Sequence, residues 1–391
     1  MQHPSLPADH FILNLLMLST EALTRLSFSP AGYGCIGNSC QAICFPVSML
    51  CCCRCNPSRV DAAAIAAKGH KMVEVGGGAS PTRKLEYAVG GDLTSDEVVY
   101  YQHGYANSCS GMRSFSKVAE KLGMKLIMAS MPGFGLSDSY PVSLVSVGTP
   151  RPLADWPADV KVVLEKEGVT SCHLMGTSGG CPHTSALALG LPPSMVRNIL
   201  LNTPTAPASE PGVQEAMDPL TAFMGTIIGR PFVGDALSKI MQNVSAKNRL
   251  ALAPDCKLAV ERAEKESPGE SRATEACVDF IESSDHSMAF THRGMTDNVW
   301  PIAIEGLPWL PSLSSLVADG RVFAVTTASD DTTNPPEMQR WVHEKVQGST
   351  MMHFQPGWGH LHGVIDMENF ERMLLFLKTG ADPTPWTPPS D

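Results

Sequence analysis

The sequence contains no dense run of lysine and arginine, and its 391 residues carry a formal net charge of −10. A surface that neutralises phosphates needs clustered positive charge, so no nucleic-acid partner is expected. A clean membrane-spanning segment is also lacking. Residues 26–53 hold no charge, but Pro30, Gly32, Gly34, Gly37 and Pro46 make them a poor helix. The apolar run at residues 11–18 has Asp9 before it where a secretory signal carries Lys or Arg, and no small-residue cleavage pattern follows at once. A cytoplasmic location is therefore expected.

Cysteine is abundant but uneven. Seven of the twelve lie between Cys35 and Cys55, and Cys109, Cys172, Cys181, Cys256 and Cys277 are scattered. Scattered cysteines in a long chain read as buried thiols in a reducing compartment. For the N-terminal cluster three readings stand side by side. Acylation of some of Cys51, Cys52, Cys53 and Cys55, beside Arg54 and Arg59, would tether the chain to a cytoplasmic membrane face. The alternatives are a disordered extension and a misplaced start. No second cysteine pair stands at finger-like spacing, and Gly32-Tyr33-Gly34-Cys35-Ile36-Gly37 follows no strand and opens no helix. Neither a metal nor a dinucleotide cofactor is expected.

Regular patterning begins near Ala67. Alternating runs at 70–75 and 83–89 read as paired strands, and 97–102 as an apolar strand that ends in His103-Gly104-Tyr105. A helix is expected at 112–122 and a strand at 125–130, stopped by Pro132-Gly133-Phe134-Gly135-Leu136-Ser137-Asp138. Helical spacing returns over 153–168, and a strand then runs into Gly176-Thr177-Ser178-Gly179-Gly180. A small-residue helix and a strand at 196–201 follow. Alternating strands and helices argue for an α/β protein, with a mostly parallel sheet covered by helices on both faces and a site at the carboxyl ends of its strands.

The alternation lapses between 203 and 316, where helices are expected at 213–228, 235–250, 255–265 and 272–284 and no strand is evident. It resumes with a strand at 321–327, a helix at 335–346, a strand at 350–355 and a helix at 366–378. The expected organisation is an N-terminal Cys-rich extension (1–66), a core made of 67–203 and 317–380, an all-helical cap (204–316) and a Pro-rich tail (381–391).

Strand, Gly-x-Ser-x-Gly and helix, in that order, lift a serine out of a sheet as a nucleophile. Such a serine needs an imidazole base, and the imidazole needs a carboxylate to fix its tautomer. His360 follows Gly357-Trp358-Gly359 and competes with His362 for the role of base; Asp330 and Asp331 compete as the acid. His362 with Asp366 could suggest a metal pair, but no further ligand is evident.

From about residue 67 to 380 the chain resembles the α/β-hydrolase fold superfamily with a helical cap. The resemblance rests on His103-Gly104, the 132–138 turn, Gly176-Thr177-Ser178-Gly179-Gly180, Ala328-Ser329-Asp330-Asp331 with Pro335, and Gly357-Trp358-Gly359-His360. It implies Ser178 as nucleophile, His360 as base and Asp331 as acid, since Pro335 stands four residues after Asp331. It also implies the backbone N–H groups of Tyr105 and Gly179 as the oxyanion hole, with His103 and the 132–138 turn bracing that loop.

The implied activity is that of a serine hydrolase working through an acyl-enzyme on a carboxylic ester with an apolar part. Met217, Phe223, Met224, Met241, Phe280, Met288 and Phe290 of the cap would supply apolar surface. Amide or peptide cleavage, thioester cleavage and carbon–carbon bond hydrolysis use the same three residues, and a non-catalytic ligand-binding member is the rival of another class. Epoxide hydrolases and haloalkane dehalogenases of the fold carry Asp where this chain has Ser178. The expected partner is a small-molecule substrate.

Overall fold

Central strands buried on both faces, with no side turned to solvent, build the middle of this molecule. A computed structural model describes residues 69–77, 80–140, 153–207, 210, 212–217, 272–287, 293–294, 297–298, 306–357 and 359–386. All of them fall within the second of the two units into which the chain divides, Pro57–Asp391. The expected N-terminal extension with its cysteine cluster lies outside the described residues, as do the expected helices at 235–250 and 255–265 and that at 213–228 beyond Met217.

Eight strands form one sheet: β1 (Lys71–Gly77), β2 (Ser80–Gly91), β3 (Val98–Gln102), β4 (Lys125–Ala129), β5 (Cys172–Thr177), β6 (Val196–Asn202), β7 (Phe323–Ala328) and β8 (Thr350–Phe354). Their order across the sheet is β1-β2-β4-β3-β5-β6-β7-β8. The β1–β2 and β2–β4 pairs are antiparallel; every pair from β4 through β3 to β8 is parallel. The longer helices are α1 (Met112–Lys121), α2 (Trp156–Lys166), α3 (Cys181–Gly190), α4 (Arg272–Ser287), α5 (Pro336–Lys345) and α6 (Met367–Thr379).

Because successive strand side chains point to opposite faces, β3 feeds two cores at once. Val98 and Tyr100 join a cluster with Trp156, Val160 and Leu187 from α2 and α3. Val99 and Tyr101 join one with Phe115 of α1 and Phe370 of α6, whose rings sit 4.5 Å apart between centroids. Burial on both faces is what a parallel sheet requires, and it explains why β3, β5 and β7 are buried throughout.

Helix α6 shows how local sequence sets an element. Asp366 accepts from the N–H groups of Glu368 and Asn369 and caps the start, and Gly380 at φ 77° ends it in the left-handed region. Asp366 thus serves as a helix cap, and His362 Nδ1 meets the Gly359 carbonyl at 3.1 Å.

The parallel register puts the carboxyl ends of β3, β5 and β6 at one level: Gln102 pairs with Gly176, and Thr177 with Asn202. Ala328 of β7 pairs likewise with Phe354 of β8. Loops leaving these strands emerge on one edge, and that edge gathers the candidate residues. Among the described residues no helix is long and apolar enough to cross a membrane.

Candidate active site

Ser178 sits where β5 breaks into a short turn before α3, at φ 53°. That left-handed backbone is costly for a residue with a Cβ, and it points the hydroxyl away from the sheet edge. Among the described residues only Ala106 and Thr203 share a positive φ without being glycine. They follow β3 and β6, so the strain gathers on the same edge.

The Ser178 Oγ lies 2.8 Å from His360 Nε2, and His360 Nδ1 lies 2.9 Å from Asp331 Oδ2. A neutral imidazole in this arrangement donates its Nδ1–H to the carboxylate, which leaves Nε2 to accept from the serine. Asp331 is fully buried and well supplied with donors. Its Oδ1 accepts from the N–H groups of Thr333 (3.0 Å) and Asn334 (2.9 Å), and its Oδ2 accepts from the Gln339 side chain at 2.9 Å as well as facing His360.

Asp330 does different work. Its Oδ2 accepts from the backbone N–H groups of Gly357 and Gly359, and so holds the loop that carries His360. His362 is buried against Phe354, and burial pushes its pKa down to about 4. Neither residue is among the three aligned side chains.

Tyr105 and Gly179 flank the serine. A Cβ placed on Gly179 would fall 2.3 Å from the Tyr105 ring, and one on Gly104 would fall 3.2 Å from Ser178 Cβ. The loop after β3 is held from below by His103, whose Nδ1 donates to the Gly104 carbonyl at 2.7 Å while its Nε2 accepts from Met131 N–H at 3.0 Å. Burial lowers the His103 pKa to about 4, so the ring is neutral and its tautomer is set by those two partners. Met131 opens the Pro/Gly turn, which therefore braces the loop through this bond.

Several polar residues of the site carry no local sequence signal. Just beneath Ser178, Tyr101 OH lies 3.0 Å from Thr177 Oγ1, Asn202 donates to the same oxygen at 3.3 Å, and Thr326 donates to Asn202 Oδ1 at 2.7 Å. This chain of bonds crosses β3, β5, β6 and β7 under the site. Asn298 is the second surprise: it is buried, accepts from Tyr105 OH through its carbonyl (2.9 Å), meets His183 Nε2 (3.0 Å) and donates to the Pro132 carbonyl (2.9 Å). Gln339, one turn into α5, is the third. Tyr101, Asn202 and Asn298 have these partners far away in sequence, and Gln339 has its own in the loop before its helix, so no strand or helix periodicity announced them.

A cavity of about 90 Å³ opens beside the serine and is lined by Ser178, His360, Phe115, Phe280, Leu361 and Val364, among others. Phe280 lies on α4, so the segment between β6 and β7 contributes to the wall. Phe223, Met224, Met241, Met288 and Phe290, also expected to supply apolar surface, lie outside the described residues.

Solved structures resemble the chain over most of its length. An acetylester hydrolase from Corynebacterium glutamicum aligns with a TM-score of 0.55 at 15% identity, covering 80% of this chain and 97% of that one. For a bromoperoxidase from Bacillus anthracis the values are 0.53, 16%, 79% and 99%. An alpha/beta hydrolase enzyme from a Medee basin deep-sea metagenome library gives 0.51, 15%, 78% and 97%. The chain has the α/β-hydrolase fold. No model of a known family matches the sequence, and no curated protein does. At these identities the likeness concerns the fold, and chemistry has to be argued from the site itself.

Proposed function

We propose that this chain is a serine hydrolase acting through an acyl-enzyme, with a carboxylic ester bearing an apolar part as its substrate. The observation that carries the reading is the unbroken line from Asp331 Oδ2 through His360 to Ser178 Oγ, 2.9 Å and 2.8 Å, ending on a serine at φ 53°.

A serine hydroxyl near neutral pH attacks a carbonyl only if its proton has somewhere to go. His360 Nε2 takes that proton as Oγ bonds to the carbonyl carbon, and Asp331 stabilises the imidazolium through Nδ1–H. The backbone N–H groups of Tyr105 and Gly179 receive the developing oxyanion. Collapse of the tetrahedral intermediate expels the alcohol, which leaves with the proton from His360. Water, activated by the same imidazole, then releases the acid and restores Ser178. The apolar side chains of Phe115, Phe280, Leu361 and Val364 beside the serine favour an ester with an apolar acyl or alcohol portion.

The test is labelling with a fluorophosphonate probe followed by mass mapping. The reading requires modification at Ser178, its loss in Ser178→Ala and a sharp fall in His360→Ala. A folded protein that never labels refutes it and points to a ligand-binding member of the fold. Turnover of short aryl esters against matched anilides and thioesters then separates ester from amide and thioester cleavage.

A further inference from the structure

Tyr105 belongs to the proposed site twice over. Its backbone N–H is one of the two oxyanion donors in the proposed mechanism, and its side chain leads to a residue that the mechanism does not use. The ring lies over Gly179, where a Cβ would fall 2.3 Å from it, and the hydroxyl donates to the main-chain carbonyl of Asn298 at 2.9 Å. Asn298 stands in the segment between β6 and β7 and is fully buried. Its side-chain amide pins that carbonyl in place. Nδ2 donates to the Pro132 carbonyl at 2.9 Å and to the Gly294 carbonyl at 2.6 Å, and Oδ1 accepts from His183 Nε2–H at 3.0 Å.

We propose that Asn298 is a positioning residue that sets the spacing of the Tyr105 and Gly179 N–H groups, so that the segment between β6 and β7 completes the oxyanion hole; this rests on the serine-hydrolase reading. The bonds close a circuit. Tyr105 reaches Asn298, Asn298 reaches Pro132, the adjoining Met131 N–H donates to His103 Nε2 at 3.0 Å, and His103 Nδ1–H donates to the Gly104 carbonyl beside Tyr105 at 2.7 Å. A branch runs to the other donor. His183 lies on α3 with its Nδ1 3.3 Å from the Gly179 carbonyl. Burial holds the His183 pKa down to about 4, so the neutral ring has a single N–H, and Asn298 Oδ1, the nearer acceptor, fixes it on Nε2.

Such a link is needed because the sheet stops short of both donors. The last β3–β5 pair is Gln102 with Gly176, and Tyr105 and Gly179 each lie three residues beyond it. Backbone in the costly left-handed region adjoins each of them, at Ala106 (φ 56°) and Ser178 (φ 53°). No ladder bond holds these loops in register, so side chains must. Close approach lets Asn298 reach them: a Cβ on Gly294 would fall 2.5 Å from the Phe134 ring and 2.6 Å from the Gly133 carbonyl, so glycine there lets this segment settle on the 132–138 turn. The oxyanion forms only in the transition state, so a shift of either N–H slows turnover without weakening substrate binding.

The test uses the full chain with a short aryl ester as substrate, beside fluorophosphonate mapping of the same protein. Tyr105→Phe keeps the backbone N–H and the ring over Gly179 and removes only the bond to Asn298. It is expected to lower kcat by about tenfold with KM within a factor of about two. It should weaken by a similar factor the binding of an aryl trifluoromethyl ketone, whose hemiketal with Ser178 carries an oxyanion while His360 takes the serine proton. Asn298→Ala should do the same, and the double variant should lose little more than the larger single loss, because both changes open one circuit. If Asn298→Ala fails to fold, Tyr105→Phe and the ketone decide alone. A Tyr105→Phe protein that loses thermal stability but keeps kcat and ketone affinity would make Asn298 a structural fastener and overturn the inference, as would losses that simply multiply in the double variant. A folded chain that neither labels nor turns over any ester overturns the serine-hydrolase reading and this inference with it. Labelling at Ser178 with an unchanged kcat in Tyr105→Phe overturns this inference alone.

Discussion

Gln339 donates at 2.9 Å to Asp331 Oδ2, the same carboxylate oxygen that faces His360 Nδ1. The amide also donates to the Asn334 carbonyl at 2.7 Å, so it locks the turn that carries the acid. A hydrogen bond to a charged group is worth about 1.5–3 kcal/mol. Gln339→Leu is expected to lower kcat by about tenfold with KM within a factor of about two, because the carboxylate loses a fixed orientation while the substrate pocket is untouched. Gln339→Glu should be worse, since it sets a second carboxyl against Asp331. Steady-state kinetics on an aryl ester checks both; an unchanged kcat in Gln339→Leu would remove Gln339 from the positioning machinery.

The neighbouring aspartates give a sharper contrast. Asp331 meets the imidazole, whereas Asp330 meets only backbone N–H groups of the His360 loop. Asp331→Asn presents an amide that can hold the wrong tautomer, and a loss of about 10⁴ in kcat is expected. Asp330→Asn retains an oxygen acceptor and should cost less than about tenfold, but Asp330→Ala frees two N–H groups and should loosen the loop. The comparison is read from kcat together with thermal midpoints. A reversed ranking of the two Asn variants would assign the acid to Asp330.

Much of this was legible because period-two apolar runs and Gly/Pro breaks are local. The strands ending at Gln102, Thr177 and Ala328, and the turns after them, follow from short windows of sequence. The choice between Asp330 and Asp331 needed a resemblance, since both are turn-forming aspartates at a strand end. Glu86 was illegible for another reason. In β2 it stands between Leu85 and Tyr87, where alternation makes it an outward-facing residue, yet it is wholly buried. Its cover comes from His286, two hundred residues further on, and from the 132–138 turn. Arg83, also on β2, is buried because Asp159 of α2 pairs with it at 2.6 Å. Long-range cover of this kind leaves no local periodicity to read.

The backbone of Ser178 lets stability be separated from chemistry. Residues with a Cβ pay about 1 kcal/mol or more at φ 53°, and glycine does not. Both Ser178→Ala and Ser178→Gly remove the hydroxyl and its bond to His360, so their difference isolates the backbone. Ser178→Gly is expected to be about 1 kcal/mol more stable than Ser178→Ala, or roughly 2 °C in Tm for a chain of this size. Differential scanning calorimetry of the two variants checks this. Equal midpoints would mean that the turn is not strained.

Three buried histidines make stability depend on acid. Burial lowers the pKa values of His103, His183 and His362 to about 4, from an ordinary value of 6.5. Between these limits the unfolded chain binds protons that the folded chain refuses, so stability falls as pH drops. The contribution is complete above about pH 6.5, declines through the window from 6.5 to 4, and levels off below it. Refusing a proton costs the folded state about 1.4 kcal/mol for every pH unit below the ordinary value, which sets an upper bound of about 3 kcal/mol for each ring by pH 4. Denaturant midpoints measured from pH 7.5 to 4.5 should therefore decline most steeply below pH 6.5. His183→Gln should flatten the slope in that window, because the amide cannot take a proton there. Its amide N–H can donate to Asn298 Oδ1, the atom that His183 Nε2 meets, so the variant can stay folded through the titration. A midpoint that holds level from pH 6.5 to 4.5 in the unsubstituted protein would show that these rings accept protons without unfolding.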